Sequence, residues 1–145
     1  MPPVEFPYLN YAIPPSEPFP NGQTALRPIT VAVLTAPAGK RLRCLVCLDS
    51  GADSCIFPAS FAAVLGLDLL GKKRNFTAGI GSPANPTAYE KIGIDLGNGI
   101  RFSSYVGFTP GLNALGIGLL GQAGFFEQFN VCFHYERRIF TIGTT

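Results

Sequence analysis

The stretch that most constrains this chain runs from Arg43 to Leu67, RCLVCLDSGADSCIFPASFAAVLGL. Cys44 to Leu48 are five apolar residues in succession, which reads as a strand buried on both faces, because a strand with one wet face alternates. The strand ends on Asp49. Ser50-Gly51-Ala52-Asp53 follows, a small-residue turn in which Gly51 permits backbone geometry that other residues resist. Beyond Ser54-Cys55-Ile56-Phe57, Pro58 suits the first turn of a helix, Ser60 to Leu65 continue it, and Gly66 stands as its stop. A carboxylate on the tip of a buried strand is costly to ionise unless it is hydrogen-bonded or shares its proton, so Asp49 needs a partner.

A chain of 145 residues with 47% hydrophobic content forms one domain with a real core. Only 14% of the residues are charged, which argues against disorder, and 17 glycines and 13 prolines between short apolar runs favour a β-rich fold. The net charge of +2 is scattered. The densest basic clusters, Lys72-Lys73-Arg74 and Arg137-Arg138, read as solvated turns, too small a footprint for nucleic acid. No basic region precedes an apolar run at the amino terminus, so no signal peptide is evident and a cytoplasmic setting is expected. Cys44 and Cys47 are three residues apart on a strand and point to opposite faces, and the chain has a single histidine, His134, so a metal site is not expected and the four thiols read as buried and free. Phe102 to Phe126 contains no charge, long enough for a membrane span, but its six glycines, Pro110, Asn113 and Gln122 favour buried strands joined by turns.

Along the chain, Met1 to Asn21 holds seven of the thirteen prolines among Phe6, Tyr8, Tyr11 and Phe19, and reads as an extended strap without regular structure lying on the body. Ile29 to Leu34 and Arg41 to Leu48 form a hairpin that feeds the Asp49 turn. Lys73 to Ala78 is a further strand, and Gly79-Ile80-Gly81-Ser82-Pro83 is a glycine-rich hairpin tip able to lie over something and lift away. Gly97-Asn98-Gly99 predicts a tight turn pairing Lys91–Leu96 with Ile100–Val106. Phe108 to Asn113 loops, Ile117 to Gly121 is a second short apolar run ending in glycine, and Gln122 to Phe129 is expected to be a helix with Phe125, Phe126 and Phe129 facing the core. A hairpin around Glu136-Arg137-Arg138 finishes the chain, with His134 near its turn at the surface.

Leu45-Val46-Cys47-Leu48-Asp49-Ser50-Gly51-Ala52-Asp53 resembles the active-site segment of the retropepsin-like aspartic proteases, in which apolar residues precede Asp-Thr/Ser-Gly-Ala. Leu119-Leu120-Gly121 resembles that family's second signature, and Ala78-Gly79-Ile80-Gly81 occupies the place of its flap. The resemblance spans Pro28 to Ile142. It implies an all-β fold with one or two short helices, a single acid-protease lobe closed as a β-barrel over residues 28–145, with 1–27 as the strap. It implies Asp49 as the catalytic carboxylate, Ser50 and Gly51 supporting the turn, and Ala52, Asp53, Gly79, Ile80 and Gly81 binding substrate, without cofactor or metal. Asp68 and Asp95 both precede leucine, so the chain carries only one Asp-Ser/Thr-Gly. The resemblance therefore implies a homodimer about a C2 axis, with one Asp49 from each copy, hydrolysing an extended peptide or unfolded protein and engaging neither nucleic acid nor membrane. Retroviral members often carry an arginine after the second signature that pairs with the later acid of the first; here Gln122 stands there. Two other classes remain to be weighed: the same fold used only for dimerisation or peptide binding, and a hydrolase using Cys55 or Ser50 with His134.

Overall fold

The computed structural model describes residues 2–77 and 85–145. In chain order the strands are β1 (Val4–Pro7), β2 (Leu9–Ile13), β3 (Gln23–Arg27), β4 (Ile29–Thr35), β5 (Arg41–Leu48) and β6 (Ile56–Pro58), then helix α1 (Ala59–Val64). They continue as β7 (Arg74–Thr77), β8 (Asn85–Gly97), β9 (Ile100–Thr109), β10 (Gly118–Leu120), β11 (Phe129–His134) and β12 (Ile139–Thr144). The main sheet has the order β4-β5-β10-β6-β9-β8-β7. β8 also pairs with β4, Val33 to Asp95 and Thr35 to Gly93, so the hydrogen-bonded path through six strands returns to its start. Phe57, Phe108, Phe125, Leu34, Val46 and Leu120 fill the interior and are almost fully buried. Each such side chain contributes about 1.5–3 kcal/mol of transfer free energy.

The β4–β5 hairpin, the short helix and the Gly97-Asn98-Gly99 turn form where the sequence places them. Pro58 stands at the N-cap position of α1 without a capping side-chain hydrogen bond, and Gly66 takes the left-handed conformation just beyond the helix, at φ +69. At the β8–β9 turn Asn98 itself is left-handed, at φ 54, and the Asp95 carboxylate accepts a hydrogen bond from the Gly97 N–H at 2.8 Å. The charge-free stretch from Phe102 to Phe126 contributes most of β9 and all of β10, and among the described residues no helix is long and apolar enough to cross a membrane.

Four expectations are corrected, the last of them at the amino terminus. β5 is not buried on both faces: Val46 and Leu48 enter the core, whereas Leu45 is 39% exposed and Cys47 half-buried. Its outer face carries Arg41 and Arg43 as well as Leu45, which lies directly across from Val31 on β4, so the two apolar residues cover each other without entering the core. Cys44 and Cys47 do fall on opposite faces, but of the four thiols only Cys55 is fully enclosed and Cys132 is exposed. Gln122 to Phe129 forms no helix but a run of turns with wide hydrogen bonds, Phe126 N–H to Gly121 C=O at 3.2 Å and Glu127 N–H to Gln122 C=O at 3.1 Å. The cause is Gly124, at φ +99, where any side chain would collide with Ser104. Phe125 and Phe129 still reach the core and pack against Phe102 with ring centroids at 5.5 Å, the first tilted and the second edge-on.

The amino-terminal stretch is not free of regular structure. β1 pairs antiparallel with β12, and Phe6 is buried, stacked on Phe140 at 5.4 Å, so the segment does lie on the body. β1, β12 and β11 make a second, three-stranded sheet, while β2 and β3 form a hairpin of their own.

Candidate active site

β5 and β10 run parallel, Leu48 beside Leu120, so both deliver their carboxyl ends to the same place. There the Asp49 N–H donates to the Leu120 carbonyl at 2.9 Å, and the Leu48 N–H to the Pro28 carbonyl at 2.9 Å. The chain then reverses. The Ala52 N–H returns to the Asp49 carbonyl at 3.1 Å, and Asp49 Oδ1 accepts from the Gly51 N–H at 2.9 Å, an aspartate turn that fixes the carboxylate's orientation.

The second glycine run locks onto that turn. The Gln122 N–H donates to the Ala52 carbonyl at 2.8 Å and the Ala123 N–H to the Asp53 carbonyl at 2.9 Å, while Ser54 and Ala123 form a parallel bridge. Gly121 is required by contact, not by its dihedral angle: a Cβ there would lie 2.3 Å from the Ser54 carbonyl oxygen and 2.6 Å from that of Ala52. The Gln122 side chain donates through Nε2 to the Ser50 carbonyl at 2.9 Å. At the position where an arginine would pair with the later acid, this chain thus braces the Asp49 turn through its backbone.

Asp49, Gly51, Ala52 and Asp53 line a single cleft of about 720 Å³. Asp49 is half-buried and Asp53 exposed. Ser50, expected to support the turn, is exposed, and its carbonyl is the part that is held. The expected flap residues Gly79, Ile80 and Gly81 lie outside the described residues. The cleft has further walls that sequence reasoning did not single out. Lys73, Arg74 and Phe76 come from the β7 side, Tyr89 from β8 and Tyr105 from β9. Tyr89 and Tyr105 stack at 5.7 Å with 20° between their rings, and the Tyr89 hydroxyl meets Ser54 Oγ at 3.4 Å. Behind them the Lys72 ammonium hydrogen-bonds Glu90, which holds the Glu90 carboxyl below its ordinary range.

The alternative nucleophiles are poorly placed. Cys55 is completely buried, and burial pushes its thiol up to about 11, so little of it is thiolate at neutral pH. His134 closes β11 in the other sheet and is not among the residues lining the cleft.

No family model matches this chain, and no curated protein matches it either. Among solved structures it is similar to the crystal structure of a retropepsin-like aspartic protease from Rickettsia conorii. The TM-score is 0.52 with 17% identity, over 98% of this chain and 95% of that chain. The fold is retropepsin-like. That agrees with the all-β, acid-protease architecture expected from the Asp49 and Gly121 segments, and it accounts for the two carboxyl-terminal strand ends meeting at one turn. Within the retropepsin-like fold, what the site offers chemically is one oriented carboxylate, backbone groups of a small-residue turn beside it, and an aromatic and basic wall facing the same cleft.

Proposed function

We propose that this chain is an aspartic endopeptidase that works as a C2 homodimer, with Asp49 of each copy contributing half of the catalytic pair. The observation that carries the reading is the Asp49 turn: a carboxylate oriented by Gly51, stitched by backbone hydrogen bonds to the Gly121 segment and open to a cleft. The retropepsin-like fold supports it. Peptide hydrolysis without a covalent intermediate needs one carboxylate to take a proton from water and one carboxylic acid to polarise the carbonyl. Two carboxyl groups held close together share one proton, because both cannot ionise readily. Since this chain holds one Asp-Ser-Gly, the second carboxyl comes from a second copy. An extended peptide fits between β walls, with Ala52 and Asp53 meeting its backbone and Gly79, Ile80 and Gly81 covering it.

Asp49→Asn tests the mechanism. The variant is expected to keep the fold and the dimer, by circular dichroism and sedimentation, and to lose cleavage of an unfolded protein substrate. Mixing it with wild type separates a shared site from independent ones. At equal amounts and constant total protein, randomly exchanging dimers leave about one quarter of wild-type activity, whereas self-sufficient subunits leave about one half. Retained cleavage by Asp49→Asn would end the proposal.

A further inference from the structure

We infer that the stacked Tyr89–Tyr105 wall is a substrate subsite selective for an aromatic side chain, an inference that rests on the peptidase reading and names its substrate class. The wall is built, not incidental. Tyr89 is the cross-strand partner of Gly107, and Lys91 is that of Tyr105, so the two tyrosines are diagonal neighbours on one face of the β8–β9 ribbon. Gly107 makes room for this. A Cβ at that position would lie 3.1 Å from the Tyr89 ring and 2.5 Å from Thr87 Cγ2, so any larger residue would lift the ring from the sheet.

The wall is also tied to the reacting end of the cleft. The Tyr89 hydroxyl meets Ser54 Oγ, and Ser54 is bridged to Ala123 in the same segment that holds the Asp49 turn. On the other side the Tyr89 N–H donates to the Lys73 carbonyl at 2.9 Å. Tyr89 is thus fixed at hydroxyl, ring and backbone, while Tyr105 remains 50% exposed with its ring open to a ligand.

Charge selects among the side chains that could stack there. A tyrosine face accepts either an aromatic ring or a cation. Lys73 and Arg74 line the same cleft beside Tyr89, Lys91 sits across from Tyr105, and Lys72 lies within electrostatic reach of Tyr105. Of these four cations only Lys72 has a carboxylate partner, Glu90, among the described residues. The cleft's carboxylates, Asp49 and Asp53, belong to the reacting turn, whereas the cations flank the tyrosines, so against the rings a substrate lysine or arginine meets like charge and an uncharged aromatic ring is the favoured occupant.

The test uses a set of unstructured peptides with one randomised position on either side of a central bond, and products are read by mass spectrometry. Wild type is expected to enrich Phe, Tyr and Trp over Leu at one position, and to disfavour Lys and Arg there. Tyr105→Ala is expected to shrink the aromatic-to-leucine ratio of kcat/KM by about 3- to 10-fold, the size of one aromatic stacking contact, and Tyr105→Phe to preserve it. A flat profile, a basic or acidic preference, or an unchanged ratio in Tyr105→Ala would overturn the subsite. Fluorescence anisotropy of Phe- and Lys-containing peptides on the Asp49→Asn protein separates the two readings. Preferential binding of the Phe peptide by a protein whose wild type cleaves nothing leaves the subsite standing and ends the peptidase reading. Cleavage by wild type without aromatic preference does the reverse. Should Tyr105→Ala fail to fold, Tyr105→Leu in the same binding assay decides, since it removes the ring and keeps the bulk.

Discussion

Gly121→Ala is the substitution whose effect the geometry fixes most closely. The added methyl would start 2.3 Å from the Ser54 carbonyl oxygen and 2.6 Å from that of Ala52, against a practical floor of 3.0 Å, so the two segments must separate by at least about 0.7 Å. Both obstacles are backbone, and neither can rotate away. The separation pulls on the Gln122 N–H to Ala52 bond and on the Asp49 N–H to Leu120 bond, at 2.8 and 2.9 Å. Overpacking costs about 1–3 kcal/mol and weakening those bonds about 1 kcal/mol more, so roughly 3 kcal/mol is expected. For a domain of this size that lowers Tm by about 6–12 °C. A displacement of this order at the Asp49 turn is also expected to reduce peptide cleavage by roughly 10- to 10²-fold. Guanidinium titration and cleavage of an unfolded substrate measure the two effects. Gly93→Ala is the control: it lies in β8, its methyl would sit 3.7 Å from Thr35, and it is expected to stay within about 0.5 kcal/mol of wild type. If Gly121→Ala melts and cleaves like Gly93→Ala, the two signature segments do not hold each other as described.

Two further outcomes follow from titrating groups. The Lys72 ammonium, hydrogen-bonded to Glu90, holds that carboxyl below its ordinary 4.5, so the contribution of Glu90 is complete above 4.5 and lost as pH falls through the lower folded value. Lys72 is raised above 10.5 by the same bond, and its contribution is lost only as pH climbs through that higher value. Melting curves of Glu90→Gln are therefore expected to fall less steeply than wild type below pH 4.5; parallel acid limbs would show that the pair adds nothing to stability. Among the thiols, burial pushes Cys44 up to about 12 and Cys55 up to about 11, while Cys132 is exposed. Alkylation at pH 8 is expected to modify Cys132 first, and Cys55 only on unfolding; an equally fast Cys55 adduct, read by peptide mass, would contradict its burial.

What the sequence disclosed and what it hid divide along the range of the interactions involved. The β4–β5 hairpin, α1 and the Gly97–Gly99 turn depend on contacts within a few residues, and each has a local signal in glycine, proline or apolar alternation. The Asp49 and Gly121 segments were legible because each carries its own short pattern, although their mutual locking spans 72 residues between Ser50 and Gln122. β1 was missed because its partner β12 lies at the far end of the chain, and proline content outweighed the Val4–Phe6 alternation. Gln122 to Phe129 misled because its phenylalanines have helical spacing, while the left-handed Gly124 and its close approach to Ser104, far off in the chain, leave no mark in the local pattern. The tyrosine wall had no linear signal at all: it is a diagonal cross-strand pair that exists only once β8 and β9 are in register.

The single Asp-Ser-Gly also changes how perturbations of the turn propagate. In a site built on a twofold axis, each contact described once for this chain occurs twice, and both copies shape the same reacting centre. A displacement at Gly121 is then felt by both carboxyls, so the free-energy penalty on catalysis in a Gly121→Ala homodimer approaches twice that of a dimer with one altered subunit, and the rate factors multiply. Folding is different: the Asp49–Gly51 and Gln122–Ser50 bonds close within one chain, so the stability cost is paid subunit by subunit. The separation of the two effects follows from the architecture. β5, β10 and the Gln122 brace complete the scaffold inside one copy, whereas the chemistry proposed for Asp49 is completed only by a second.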